Sequence, residues 1–194
     1  MPPKSKTKTA TSRKTVSKTK SAGRKPPAAK SVKKATNKPV GKSLAGKTAP
    51  AFTMPTESGA PISLKALRGK RVVLFFYPKD DTAGCTAEAQ SFRDAKTAFA
   101  RKGVTIVGVS KDTVESHKKF KTKHKLNFDL ASDAETKVCE AYGVWKEKNM
   151  YGRKYMGIER STFLIDEKGV VRAEWRKVRV PGHVEEVAGL LKKL

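Results

Sequence analysis

The chain has 194 residues, enough for one domain with a segment to spare, and its 43 Lys+Arg against 18 Asp+Glu leave a net charge of +25. Residues 1–49 hold 15 of the basic residues and none of the acidic ones, so the rest of the chain carries only +10. Two cysteines are too few for a disulfide framework or a structural zinc site, and no apolar run approaches the roughly 20 residues that cross a bilayer.

There is no CxxC, which argues against a dithiol oxidoreductase. The three histidines (His117, His124, His183) do not stand at metal-ligand spacing, and the N-terminus lacks the apolar core of a secretory signal. A reducing, soluble compartment is expected, where a free thiolate persists.

In chain order, residues 1–45 read as a disordered polycation of Lys, Thr, Ser, Ala and Pro without one aromatic side chain. Such a segment buries too little apolar surface to offset its ordering entropy. Composition changes at Pro50-Ala51-Phe52, and residues 46–194 read as one folded domain. Arg71–Tyr77 (RVVLFFY) is a continuous β-branched and aromatic run, as expected of a strand buried on both faces. Thr86–Arg101 carries Ala89, Phe92, Ala95 and Phe99 at helical spacing, with Gly103 as a stop signal. Thr105–Val109 is a second buried strand, Val114–His124 a basic helix and Asp133–Tyr142 a short one. Ser161–Ile165 and Val170–Trp175 flank Asp166-Glu167-Lys168-Gly169 as a hairpin expected at the sheet edge, and Val184–Leu194 closes the chain as an amphipathic helix. Strands alternating with helices predict an α/β domain with a central mixed sheet and helices on both faces.

Cys85 follows a buried strand and a polar loop, Pro78-Lys79-Asp80-Asp81-Thr82-Ala83-Gly84, and stands at the start of a helix. A helix N-terminus carries partial positive charge and unpaired N–H groups, which favour a thiolate and can receive an oxygen as charge develops on it. Pro78 would stiffen the loop and shield one side of the sulfur, and Thr82 would hydrogen-bond thiolate and bound substrate. A small cysteine packed at a helix start accounts for the position about as well.

Pro78-x-x-x-Thr82-x-x-Cys85 resembles the peroxiredoxin active-site motif, and FYPKDDTAGCTAEAQSFRD resembles the peroxiredoxin Q, or bacterioferritin-comigratory, group. The resemblance continues through Val107–Asp112, Leu130–Asp133, Val138–Trp145 and Gly157–Asp166, and so covers roughly residues 45–194. It implies a thioredoxin-like fold, no cofactor or metal, and reduction of hydrogen peroxide or an alkyl hydroperoxide through a sulfenic acid on Cys85. By its place before Ser161, Arg160 corresponds to the active-site arginine of the family, which would favour thiolate and polarise the O–O bond. Glu88, one helical turn after Cys85, would orient Arg160 or simply face solvent.

Two departures stand out. Ala83 replaces the usual proline before Gly84-Cys85. Gln90 occupies the place, five residues after Cys85, where many related proteins carry a resolving cysteine. Cys139 is the only other thiol, and it is read as a buried structural residue. The expectation is a one-cysteine mechanism recycled by thioredoxin, or by glutathione or glutaredoxin, in a monomer that does not bind membranes. The basic tail resembles those of linker histones in composition and predicts non-specific, salt-sensitive DNA binding. A solubilising extension or a transit peptide also fits it. These readings place the protein in the cytoplasm or on DNA, in a nucleoid or nucleus. The rival reading is a DNA-associated redox sensor on a peroxiredoxin scaffold.

Overall fold

A computed structural model describes residues 43–193. Most of the 1–45 tail, up to residue 42, lies outside the described residues.

The elements in order are β1 (Thr53–Pro55), β2 (Pro61–Ser63), β3 (Arg71–Phe76), α1 (Ala83–Ala100), β4 (Val104–Ser110), α2 (Val114–Lys123), β5 (Asp129–Ser132), α3 (Lys137–Ala141), β6 (Trp145–Met150), β7 (Arg153–Ile158), β8 (Ser161–Ile165), β9 (Val171–Trp175) and α4 (His183–Leu190). The central sheet has the order β5-β4-β3-β8-β9. Its β3–β4 and β4–β5 pairs are parallel, while β3–β8 and β8–β9 are antiparallel. This is the thioredoxin-like mixed sheet expected from the sequence. The hairpin differs in one respect: β9 forms the edge, and β8 is internal because its Ser161–Ile165 run, buried throughout, pairs on both sides.

Because β3, β4 and β5 step in one direction across the sheet, right-handed crossovers put α1 and α2 on the same face. The strand β3 divides the core accordingly. Val73, Phe75 and Tyr77 pack with Cys85, Phe92 and Phe99 of α1, Phe120 of α2 and Val187 of α4. Val72, Leu74 and Phe76 face the other way, toward Met54 and Ile62 of the β1–β2 hairpin, Cys139 of α3 and Tyr142 just after it. The two faces are unequal: three longer helices cover one, and a five-residue helix with a hairpin covers the other. Gly108 on β4 makes the packing beneath α1 feasible, since a Cβ there would stand 2.8 Å from Phe75 Cζ and 2.9 Å from Leu130 Cδ2. Phe75 uses that space to stack on Phe92 of α1, with centroids 4.7 Å apart.

The helix α1 ends at Ala100, and Gly103 follows three residues later with a φ of +69°. Residues just after the tail already belong to the domain: Gly46 N–H donates to the Val171 carbonyl at 2.8 Å and Ala49 N–H to that of Gly169 at 2.9 Å. Among the described residues no helix is long and apolar enough to cross a membrane.

Candidate active site

The strand β3 delivers the chain to the C-terminal edge of the sheet, and the loop Tyr77–Thr82 turns it into α1. Helix formation starts at Ala83, so Cys85 lies in the first turn. The amide of Thr86 takes the Thr82 carbonyl at 2.8 Å, which leaves the amides of residues 83–85 without an intrahelical acceptor. The Cys85 side chain is directed inward and is 1 % exposed.

Arg160 reaches the sulfur from the junction between β7 and β8. Its Nη2 donates to Cys85 Sγ at 3.2 Å, while Nη1 donates to Oε2 of Glu88. Gly84 sits against the guanidinium, and a Cβ there would stand 3.4 Å from Nη2. One cation thus bridges the thiol and a fully buried carboxylate one helical turn apart. Burial pushes the Glu88 carboxyl up to about 7, with Arg160 opposing that rise. Burial also works against the charge on Arg160, but Glu88 and Cys85 outweigh it and hold the guanidinium more firmly protonated than usual. Sequence reasoning left Glu88 undecided between orienting Arg160 and facing solvent. The structure brings it to Arg160.

Thr82 is placed differently from the expectation. Its side chain is exposed, and among the described residues its hydroxyl donates to the Lys79 carbonyl at 3.2 Å rather than to sulfur. Pro78 is half-buried in the loop. Gln90 points toward α2, its Nε2 lying 3.5 Å from His124 Nδ1.

Cys139 is buried on the opposite face of the sheet from Cys85, in the cluster containing Val72, Leu74 and Phe76. Its backbone N–H donates to Asp133 Oδ2 at 2.7 Å. Burial, with Asp133 nearby, pushes its thiol well above the ordinary range, which disfavours the thiolate. Both cysteines are free.

Three features went unread in the sequence. Asp80 and Asp81 of the loop are both bound by side chains of α2. The histidine supplying the buried contact, His117, is fully buried; its inward direction was legible only as helical spacing with Phe120. Lys148 of β6 lies half-buried across Gly157, donating to the Ile158 carbonyl at 2.5 Å, and it feels the charges of Glu159, Arg160 and Cys85. Burial lowers its ammonium pKa. No sequence pattern signals that position. Among the described residues no group of three or more His, Cys, Asp or Glu is placed to hold a metal ion.

Comparison with known proteins identifies the family. The AhpC/TSA family pattern matches residues 45–174. A Coxiella burnetii relative named for peroxiredoxin bcp is 56 % identical over 146 residues, covering 75 % of this chain and 97 % of its own. Peroxiredoxin Bcp of Bacillus subtilis is 50 % identical over 149 residues, covering 77 % and 95 %. Among solved structures, the bacterioferritin comigratory protein of Xanthomonas campestris, described for its alkyl peroxide reduction activity, superimposes with a TM-score of 0.71 at 43 % identity over 73 % of this chain and 90 % of that one. The chain therefore belongs to the AhpC/TSA family, alongside the Bcp or peroxiredoxin Q proteins, and is a peroxidase of the oxidoreductase class.

Proposed function

We propose that Cys85 is the peroxidatic nucleophile and that it works as the only catalytic cysteine. The observation that carries this reading is the line Glu88–Arg160–Cys85 at the N-terminal turn of α1. The Cys85 thiolate attacks the terminal oxygen of hydrogen peroxide or an alkyl hydroperoxide; an S–O bond forms and the O–O bond breaks. The departing hydroxide or alkoxide takes a proton, giving water or alcohol, and a sulfenic acid remains on Cys85. Arg160 supports the thiolate and the charge developing on the departing oxygen, and the amides of residues 83–85, which have no intrahelical acceptor, act in the same direction. Glu88 is the positioning residue for Arg160. Pro78 and Thr82 shape the loop, with Thr82 acting through the Lys79 carbonyl in this state.

With Gln90 where a local resolving thiol would stand and Cys139 across the sheet, recycling falls to an outside thiol. Thioredoxin is the favoured reductant, with glutathione or glutaredoxin as the alternatives. The outside thiolate attacks the Cys85 sulfur, an S–S bond forms, the S–O bond breaks and hydroxide leaves as water after taking a proton. A second thiol then releases Cys85 as thiolate. The basic tail of residues 1–45 supports non-specific association with DNA, so that a monomeric peroxidase in the cytoplasm or nucleoid would act near DNA. Peroxide consumption by two variants tests the nucleophile. Cys85→Ser is expected to abolish it and Cys139→Ser to leave most of it; a dead Cys139 variant would reverse the assignment.

A further inference from the structure

The β6–β7 hairpin takes no part in the central sheet; its two strands form a sheet of their own. Its base is anchored. Ile158 is buried in the core, Trp145 packs against that core with Lys111 Nζ 5.9 Å from its ring centroid, and Glu159 N–H donates to the Val144 carbonyl at 2.7 Å. Its outer half carries a different surface. Among the described residues the large apolar side chains left exposed are Tyr151 (98 %), Tyr155 (44 %) and Met156 (48 %), and all three belong to this hairpin. Folding gives no reason to gather them there, whereas aromatic side chains collected on one exposed element mark a contact surface.

The register sorts the hairpin's charges. Lys148 stands opposite Tyr155 and Lys146 opposite Gly157, and Arg153 is two residues from Tyr155, so Lys146, Lys148, Arg153 and Tyr155 share one face. Tyr155 and Lys148 both fold over Gly157, where a Cβ would stand 3.2 Å from Tyr155 Cε2 and 3.4 Å from Lys148 Cδ. The hairpin's one carboxylate, Glu147, lies on the other face and is paired with Lys154 at 3.1 Å. The first face thus presents three cations and an aromatic ring, with no acidic side chain of its own. It also stands beside the sulfur. The strand β7 ends at Ile158, two residues before Arg160, whose Nη2 meets Cys85 Sγ, and Lys148 feels the charge of Cys85.

We propose that this hairpin is the docking surface for the reductant, a small acidic protein dithiol with an apolar surface around its reactive cysteine. Tyr155 and the tip residue Tyr151 supply the apolar contact, with Met156 at the flank, and Lys146 and Arg153 attract the partner's acidic border. Weak redox encounters bury less area than stable complexes, so a single hairpin is enough. The dithiol gives up two electrons. One thiolate bonds to the Cys85 sulfur while the sulfenic oxygen leaves as hydroxide and takes a proton; the second thiol then displaces Cys85 as the partner's own disulfide closes. Single-stranded nucleic acid also binds cations interleaved with aromatic rings, but the closeness of this face to Cys85 favours the reductant. The inference rests on Cys85 being the nucleophile and on recycling by an outside thiol.

The test uses the full chain turning over hydrogen peroxide, with an acidic thioredoxin kept reduced by its reductase as one electron source and dithiothreitol as the other. Two variants are compared: Arg153→Glu, and Tyr151→Asn, which suits the turn position's φ of +52°. Each is expected to raise the KM for thioredoxin about tenfold, the size of effect that loss of an important contact residue gives, with kcat held. Turnover with dithiothreitol, and the single-turnover oxidation of Cys85 by peroxide, should stay within about twofold. Arg153→Lys and Tyr151→Phe should keep the KM of the unaltered chain. An unchanged KM in Arg153→Glu and Tyr151→Asn overturns the docking surface, even if those variants bind single-stranded DNA less well or self-associate less. An equal fall in the thioredoxin and dithiothreitol rates, as general damage would produce, overturns it too. Turnover of the unaltered chain with dithiothreitol but not with thioredoxin overturns the dithiol partner. No turnover with either would instead overturn Cys85 as a recycled nucleophile, a failure distinct from that of the docking surface.

Discussion

Replacing Arg160 by Met separates the chemical role of the guanidinium from its structural one. The substitution removes a charge-assisted hydrogen bond to Sγ, and such bonds contribute about 1.5–3 kcal/mol, so peroxide consumption should fall roughly 10- to 100-fold and alkylation of Cys85 at neutral pH should slow. It also leaves Glu88 buried without its cation. In the unaltered chain burial raises the Glu88 carboxyl from 4.5 to about 7. Between those values the folded state holds a proton that the unfolded state has lost, so stability falls as pH rises, by about 1.4 kcal/mol per unit, and levels off above about 7. Without Arg160 the opposing influence is gone, the folded carboxyl titrates higher still, and the decline continues past that point. The stability gap between the two chains should therefore be small near pH 6 and widen by about 1.4 kcal/mol per unit above pH 7. Urea unfolding at several pH values measures it, and Glu88→Gln added to Arg160→Met should remove the slope. A gap of the same size at pH 6 and at about pH 9 would refute the account of Glu88 as a buried carboxyl whose rise in pKa Arg160 opposes.

Two further outcomes follow from charge and burial. Deleting residues 1–45 should abolish DNA binding at physiological salt while sparing peroxidase activity; if about ten of the tail's basic residues meet phosphates, the slope of log K against log salt for the full chain should be about −9, and a gel-shift titration giving equal affinity for both chains would rule the tail out. His183 is held neutral in the core, its Nε2 paired with Thr162 Oγ1 at 2.8 Å, and burial lowers it from 6.5 to about 4. The unfolded state gains a proton first as pH falls through that window, so stability should drop by up to about 3 kcal/mol, and His183→Gln should flatten the acid limb of a thermal-melting profile; an unaltered limb would contradict it.

Part of this protein is legible from its own residues. The runs Arg71–Phe76 and Val104–Ser110, buried almost throughout, and the 3.6-residue spacing of Ala89, Phe92 and Phe99 announce β3, β4 and α1, because an element that buries one or both faces must record that burial in its composition. The same reasoning fails for β6 and β7. Arg153–Tyr155 and Met156 are exposed, so no alternation is imposed, and the turn between the strands puts Tyr151 at φ +52° before Gly152 at +79°, where Asn or Gly is the usual first residue. The three-residue strands β1 and β2 are too short to carry a period. At the site, the first turn of α1 could be read locally, and family resemblance pointed to Arg160. Its approach to Sγ across 75 residues, the neutralising burial of Glu88, the attachment of Asp80 and Asp81 to α2, and the placing of Cys139 behind the sheet from Cys85 were decided by tertiary structure. Local periodicity is written into a chain because each residue meets the same kind of neighbour turn after turn. Which charged groups share a desolvated space depends instead on strand order and crossover hand, and those are set when distant segments bury one another.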